Sequence, residues 1–62
     1  MTLKELRLLS GLTQEEVARQ VGVSSLTYRR WEYGDVIPNA KHITKLADTL
    51  NCESDDVLKL YA

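Results

Sequence analysis

The sequence has few of the residues that cross-link small proteins or hold cofactors, with one cysteine, one histidine and one proline. A single cysteine, Cys52, excludes a disulfide within the chain, so burial of apolar surface must hold the fold. Cys52 and His42 cannot supply a zinc site with CxxC or HxxxH spacing. Since the chain also lacks a glycine-rich phosphate loop and a nucleophile motif, we predict no metal, no cofactor and no enzymatic activity.

Long apolar runs are missing as well. No stretch approaches the roughly 20 apolar residues that span a membrane. The first apolar residues are interrupted by Lys4, Glu5 and Arg7, unlike a signal peptide. We therefore expect a cytoplasmic protein without membrane contact. With 62 residues, of which 44% are hydrophobic, the chain is predicted to fold as one domain over residues 1–62.

Positive charge is scarce for a nucleic-acid-binding protein, because the net charge is −1. The charges are unevenly distributed along the chain. Residues 1–45 carry seven Lys or Arg against five acids, giving +2, whereas residues 46–62 carry one Lys against four acids, giving −3. Contact with DNA needs a local positive face rather than a basic average, so DNA binding through residues 1–45 remains open.

Capping signals divide the chain into five helices, and no strand pattern is present. Residues suited to N-caps stand at Thr2, Thr13, Ser24, Asn39 and Ser54. Glutamates three residues after each threonine complete two capping boxes. We predict helices over residues 3–10, from 14, over 24–33, from 40 and over 55–61. The inward-facing residues are predicted to be Val17, Ala18, Val21, Val23, Tyr28, Trp31, Ile43, Leu46, Ala47, Leu50, Val57, Leu58 and Tyr61.

Residues 14–33 have the features of two short helices folded about one glycine. Ala18 on the inner face allows the helices to cross closely, and Gly22 can adopt the positive φ of a tight turn. The outer face of the second helix then carries Ser24, Ser25, Leu26, Arg29, Arg30 and Tyr33. Helices that cross at about 90–120° can present the second helix to the major groove of DNA. The pattern predicts a helix-turn-helix.

A longer ordered pattern surrounds this motif. It comprises Arg7, GLTQEEVA at 11–18, VGVS at 21–24, Tyr28, Trp31, Glu32, Gly34, Pro38, Ile43, Leu46, Ala47 and Leu50. With this pattern the chain resembles the Cro/CI-type, or XRE-type, helix-turn-helix family of phage repressors and small bacterial regulators. The resemblance runs over about residues 3–60. It implies an all-α, five-helix Cro/CI repressor-like DNA-binding domain with the helix-turn-helix at helices 2 and 3.

The resemblance also implies which residues meet DNA. Base-reading positions would be taken by Ser24, Ser25, Leu26 and Arg30. Leu26 can pack against a thymine methyl group, and Arg30 can donate to guanine O6 and N7. Phosphate contacts would come from Gln14, Thr27, Arg29, Tyr33, Asn39 and Lys41. The alternative for these side chains is a solvated helix face, on which one exposed leucine is common.

Arg7 and Glu32 are expected to have a structural role, because the matching residues of the family form an ion pair. We expect a repressor that occupies a pseudo-palindromic DNA operator as a weak homodimer, tightened on DNA and associated with the nucleoid. Residues 51–54 and the fifth helix would form the small interface, with Cys52, Leu60 or Tyr61 as anchors. Two alternatives stay open: an antitoxin-type regulator that also binds a partner protein, and a protein-interaction module that has lost DNA binding.

Overall fold

The computed structural model describes residues 1–62 as five α-helices with no strand. The helices are α1 (Leu3–Leu9), α2 (Gln14–Val21), α3 (Ser25–Tyr33), α4 (Ala40–Thr49) and α5 (Ser54–Leu58), and a 3-10 turn (Lys59–Tyr61) follows α5. The predicted all-α fold of five helices is therefore confirmed. None of these helices combines the length and the apolar character needed to cross a membrane.

The helices begin where their first backbone N–H groups find side-chain acceptors. Thr2 Oγ1 accepts the backbone N–H of Glu5 at 3.2 Å, and Glu5 Oε1 accepts the N–H of Thr2 at 2.8 Å. Thr13 and Glu16 make the same reciprocal bonds at 3.1 and 3.0 Å. Each capping box satisfies two donors that have no partner within the helix, which fixes the first residue of α1 and of α2.

The fifth helix departs from the prediction of a helix over 55–61, because it spans Ser54–Leu58 and continues as the 3-10 turn Lys59–Tyr61. Its N-cap is Glu53 instead of Ser54, and the backbone N–H of Glu53 donates to Asp56 Oδ2 at 3.0 Å. Leu58, predicted to face inward, is 49% exposed, whereas Leu60 and Tyr61 pack against the core. Val57 is fully buried. Leu60 and Tyr61, three and four positions after Val57, lie on the same face as Val57. Leu58, the next residue, points about 100° away from that face. The prediction for Leu58 is wrong for this reason.

The core lies where α2, α3 and α4 meet, with one residue each from α1 and α5. Its members are Leu3, Val17, Ala18, Val21, Tyr28, Trp31, Ile43, Leu46, Ala47, Leu50 and Val57. Apart from Leu58, the predicted inward residues either belong to this cluster or, like Val23 and Tyr61, pack against it while half-buried. The two largest contributors from α3, Tyr28 and Trp31, meet edge to face with ring centroids 6.1 Å apart. Their burial fixes which side of α3 faces solvent.

The turn between α2 and α3 is built on Gly22, whose φ is +91°. The carbonyl of Ala18 accepts the N–H groups of Gly22 at 2.8 Å and of Val23 at 2.9 Å, which ends α2. Apart from Gly22 itself and its two neighbours in the chain, no heavy atom lies within 4 Å of the position that a Cβ at Gly22 would occupy. Glycine is therefore required by the left-handed backbone and not by lack of space. The turn directs α3 across α2, where Ala18 is buried.

Candidate DNA-binding surface

The outer face of α3 presents most of the residues predicted to read bases. Leu26 is 52% exposed. Arg29 and Arg30 are also exposed, and Ser25 is half-buried. Neither arginine forms an ion pair, because the single ion pair of the structure joins Arg7 to Glu32. A free guanidinium and an exposed aliphatic side chain on one short helix are suited to the hydrogen-bonding and methyl groups of a major groove.

Ser24 differs from the other predicted base-reading residues, because its hydroxyl already has two partners. Its oxygen accepts the backbone N–H of Thr27 at 3.1 Å, and its hydroxyl donates to Thr27 Oγ1 at 2.9 Å. The N-cap role therefore leaves Ser24 with acceptor capacity only. Thr27 has accepted through its oxygen, and its own hydroxyl hydrogen is free to donate to a phosphate. The Ser25 hydroxyl does not take part in the hydrogen bonds of this turn.

A buried network beneath α3 holds the helix to the rest of the fold. Arg7 Nε donates to Glu32 Oε2 at 2.6 Å, and Arg7 also donates to the carbonyl of Leu12 at 3.0 Å. Tyr28 donates its hydroxyl to the same Oε2 at 2.6 Å, and the Gln14 amide donates to Oε1 at 3.0 Å. The side chains of Arg7 and Glu32 are only 9% and 3% exposed. The structure thus contains the pair that the resemblance implies.

Protonation follows from these contacts. Burial raises the pKa of the Glu32 carboxyl, but donation from Arg7, Tyr28 and Gln14 outweighs it, and the net pKa is lowered. Burial, together with the hydrogen bond to Glu32, raises the pKa of the Tyr28 hydroxyl far above its ordinary value. The hydrogen bond to Glu32 raises the pKa of Arg7. At neutral pH the network therefore holds an ionised pair and a neutral tyrosine.

Gln14, a predicted phosphate contact, is positioned by this network. It is the first residue of α2, and its amide nitrogen keeps a second N–H after donating to Glu32. That N–H and the free backbone N–H groups of the first turn can together meet an anion. The sequence did not reveal that Gln14 contacts Glu32, since nothing local relates two residues eighteen positions apart. The contact from Tyr28 has a visible signal, because Tyr28 and Glu32 are four residues apart on one helix.

The start of α4 lies beside the carboxyl-terminal half of α3. The rings of Trp31 and His42 approach with centroids 5.1 Å apart. Asn39 caps α4 by accepting the N–H of His42 at 2.9 Å through Oδ1, which leaves its amide hydrogens free. Lys41 is exposed. Since Gln14 contacts Glu32 and His42 contacts Trp31, the first turns of α2 and α4 both adjoin the carboxyl-terminal half of α3.

The predicted phosphate contacts are thus distributed around α3, with two acids among them. Tyr33, at the end of α3, is 71% exposed. Glu15 follows Gln14 and Asp35 follows the glycine that ends α3, and both are exposed. These carboxylates oppose phosphate binding and reduce the positive potential of the surface. No group of three or more His, Cys, Asp or Glu side chains is arranged to hold a metal ion.

Comparison with known proteins agrees with this geometry. A family model described as helix-turn-helix matches residues 3–57. The chain is 30% identical over 50 residues to the cryptic phage CTXphi transcriptional repressor RstR of Vibrio cholerae, covering 81% of this chain and 45% of the relative. It is 33% identical over 57 residues to the SPbeta prophage-derived uncharacterized HTH-type transcriptional regulator YonR of Bacillus subtilis, covering 92% of this chain and 53% of the relative. The chain therefore spans about half the length of these curated relatives.

A solved structure extends the likeness to three dimensions. The solution structure of the DNA-binding domain of the P22 C2 repressor matches with a TM-score of 0.87 and 28% sequence identity. The match covers 92% of this chain and 75% of that domain. The fold predicted from the resemblance is confirmed by this agreement.

Proposed function

The chain belongs to the helix-turn-helix family, and on that premise we propose that it is a sequence-specific transcriptional repressor that binds double-stranded DNA. In this proposal residues 1–62 act as one DNA-binding domain, and α3 enters the major groove. Relatives that are a repressor and a transcriptional regulator, and the fold of a repressor DNA-binding domain, support the assignment. Repression follows from occupation of promoter DNA.

The observation that carries the proposal is the contrast between the two sides of α3. One side is held by Tyr28 and Trp31 in the core and by Glu32 in the buried network. The other side presents Leu26 and Arg30 to solvent with no partner in the fold. A helix held in this way, with an unpaired arginine and an exposed leucine on its outer side, is suited to direct readout of base edges.

Phosphates would fix the register of the helix on the duplex. Gln14 and the first turn of α2 supply one contact, and the amide of Asn39 with the first turn of α4 supplies another. Lys41 and Arg29 add positive charge, Thr27 adds a hydroxyl, and Tyr33 adds a phenol at the end of α3. In this proposal Ser24 accepts a hydrogen bond from a base, and Ser25 donates or accepts.

We extend the proposal to a weak homodimer that tightens on DNA. Two copies of α3 would read half-sites about one helical turn apart. Residues 51–54 and α5 supply the interface, with Cys52 and Leu60 as half-buried anchors. Tyr61 is a poorer anchor, because its hydroxyl donates to the carbonyl of Trp31 at 2.9 Å and so holds the 3-10 turn to α3.

The proposed function is tested by selection of binding sites from random double-stranded DNA, followed by titration at several salt concentrations. We expect one enriched pseudo-palindromic sequence and an affinity that falls steeply with salt, as phosphate contacts require. Failure to enrich any sequence, together with weak binding that is equal for all sequences, would support the interaction-module alternative. An antitoxin-type regulator would enrich a site and also retain a partner protein.

A further inference from the structure

The helix α1 exposes more apolar surface than its place in the fold requires. Four of its seven residues are leucines, yet only Leu3 is fully buried. Leu9 is 75% exposed and Leu8 is 57% exposed. Contiguous exposed apolar surface on a small protein marks an interaction site more often than isolated exposed residues do. The exposed leucines of α1 are therefore candidates for an interaction site.

Leu9 lines a groove between α1, the end of α2 and the end of α4. The apolar lining of this leucine groove is Leu6, Leu9, Leu12, Leu50 and Cys52. Leu6, Leu12 and Cys52 are half-buried and packed against the core, so the base of the groove is held in place by the fold. The exposed Leu9 lies at the rim of the groove. A groove of this kind between helices accommodates the apolar face of another helix.

Negative charge borders the leucine groove on one side. Asp48, Glu53 and Asp56 surround a depression that shares Asn51 and Cys52 with the groove. No cation lines that depression, and none of the three acids forms an ion pair. Burial raises the pKa of the Cys52 thiol, and the charges of Asp56 and Glu53 raise it further. The charged side chains that line this depression are therefore all acidic.

None of the residues that line the leucine groove is among the proposed DNA contacts. Its lining comes from the carboxyl-terminal ends of α1, α2 and α4. Gln14 and Lys41, by contrast, stand at the amino-terminal ends of α2 and α4. Ten residues of α-helix place the two ends of α4 about 15 Å apart. The groove is therefore separated from the phosphate contacts proposed at the first turns of α2 and α4.

From these observations we propose that the leucine groove binds a basic amphipathic helix of another protein. Aliphatic residues of that helix at positions i, i+3 and i+4 fill the groove beside Leu9, and its Lys or Arg residues face Asp48, Glu53 and Asp56. The homodimer interface proposed above shares Cys52, Glu53 and Asp56 with this surface but does not include Leu6, Leu9 or Leu12, so a partner helix would compete with self-association. The inference concerns a surface outside the proposed DNA contacts and does not depend on them.

The test uses two synthetic peptides of about 15 residues, near the shortest length that forms a helix in water. Both carry leucines at i, i+3, i+4 and i+7. One has lysines at the remaining positions and the other has glutamates. Each is titrated into the isotopically labelled protein without DNA, and amide shifts are followed by NMR. We expect the lysine peptide to bind at least about tenfold more tightly than the glutamate peptide and to shift residues of the leucine groove.

Matched variants locate the contact. Leu9→Gln removes the rim leucine, and Ile37→Gln removes an exposed apolar side chain of similar size outside the groove, the proposed DNA contacts and the proposed homodimer interface. Leu9 is 75% exposed and Ile37 is 62% exposed, so neither change removes a core contact. We expect Leu9→Gln to weaken binding of the lysine peptide about tenfold, as loss of an anchor does, and Ile37→Gln to change it less than about twofold. Asp48→Asn with Glu53→Gln should reduce the preference for lysine, whereas Asp35→Asn should not.

Three results would overturn the proposal. The peptides could bind equally well, the amide shifts could fall on α3 instead of the groove, or Leu9→Gln could have no more effect than Ile37→Gln. Self-association of the wild-type chain that is abolished by Leu9→Gln would show that a second copy fills the groove, which also contradicts it. Because DNA is absent from every titration, these outcomes are separate from success or failure in selecting an operator.

Discussion

Arg7 and Glu32 meet across 25 residues of sequence, with Arg7 Nε donating to Glu32 Oε2 at 2.6 Å. The contact joins α1 to α3, and the second carboxylate oxygen of Glu32 reaches Gln14 on α2. One carboxylate therefore connects three helices. Its loss should affect both the stability of the fold and the position of the side chain proposed to contact phosphate.

Glu32→Gln should destabilise the protein by about 3–5 kcal/mol, the usual cost of removing one partner of a buried pair. In either orientation of the new amide, its NH₂ group would face hydrogen-bond donors. These donors are Arg7 and Tyr28 in one orientation and Gln14 in the other. Urea unfolding measures the change in free energy. Glu15→Gln, at an exposed position outside the network, is the control and should be nearly neutral. Equal stability of Glu32→Gln and wild type would mean that the network is not closed in solution.

Stability should fall in acid, with Glu32 as a main contributor. The pKa of Glu32 is lowered from its ordinary value of 4.5 in the folded state. The stabilisation is thus complete above that value and is lost as the pH falls through the lowered folded pKa. Hydrogen bonding to Thr2 and Thr13 lowers the pKa values of Glu5 and Glu16 in the same direction. Urea unfolding between neutral pH and acid should show a shallower decline for Glu32→Gln, and parallel curves would refute this assignment.

Ala18→Leu should destabilise the domain by about 1–3 kcal/mol through overpacking. Ala18 is 2% exposed in the core that α2 shares with α3. A thermal melt provides the measurement, and Arg19→Leu on the exposed side of α2 is the control. A normal melting temperature for Ala18→Leu would show that the crossing is looser than the structure indicates.

Gly22→Val should also lower the melting temperature, because a β-branched residue is strained at a φ of +91°. Gly22→Asn should lower it less, since asparagine tolerates this backbone region and the space for a side chain is open. The order of the two variants is the informative result. If asparagine were as harmful as valine, contacts and not backbone conformation would explain the glycine.

Arg30→Ala and Arg29→Ala should affect DNA binding in different ways. If Arg30 donates to a guanine, its loss should relax preference at one base pair per half-site and cost about 1–3 kcal/mol there. Loss of Arg29 from a phosphate contact should weaken all sequences similarly and reduce the salt slope by roughly one per subunit. Both side chains are exposed, so melting temperatures should barely change. Titration against a selected site and its single-base variants separates the two, and uniform loss for Arg30→Ala would disprove base reading.

Much of the architecture follows from local sequence, because helix starts and buried faces are determined by residues three or four positions apart. The capping boxes at Thr2 and Thr13 and the stripe through Ile43 and Leu46 are of this kind. The end of the chain was harder to predict, because Leu58 and Leu60 are both apolar and only one shares the face of Val57. Composition alone does not decide between them.

The candidate site was predictable to a smaller extent. Which side of α3 is exposed follows from the burial of Tyr28 and Trp31. The contact between Gln14 and Glu32 depends on how α2 and α3 pack, which no short spacing specifies. The leucine groove has the same origin, since it exists only after the ends of three helices have come together. Features that join distant segments require the folded structure.

The separation of acidic from basic residues gives this molecule an electric dipole. Lys41 lies in the first turn of α4, whereas Asp48 lies in its last turn, about 10 Å away along the helix axis, and the acids of α5 follow. The field of a polyanion exerts a torque on such a dipole and turns the basic side forward, although the net charge is −1. The Debye length is about 10 Å at 0.1 M salt, whereas the protein measures 24 Å in its longest dimension. Counterions therefore weaken the repulsion between these acids and the phosphates, and an approaching duplex responds mainly to the basic residues nearest to it.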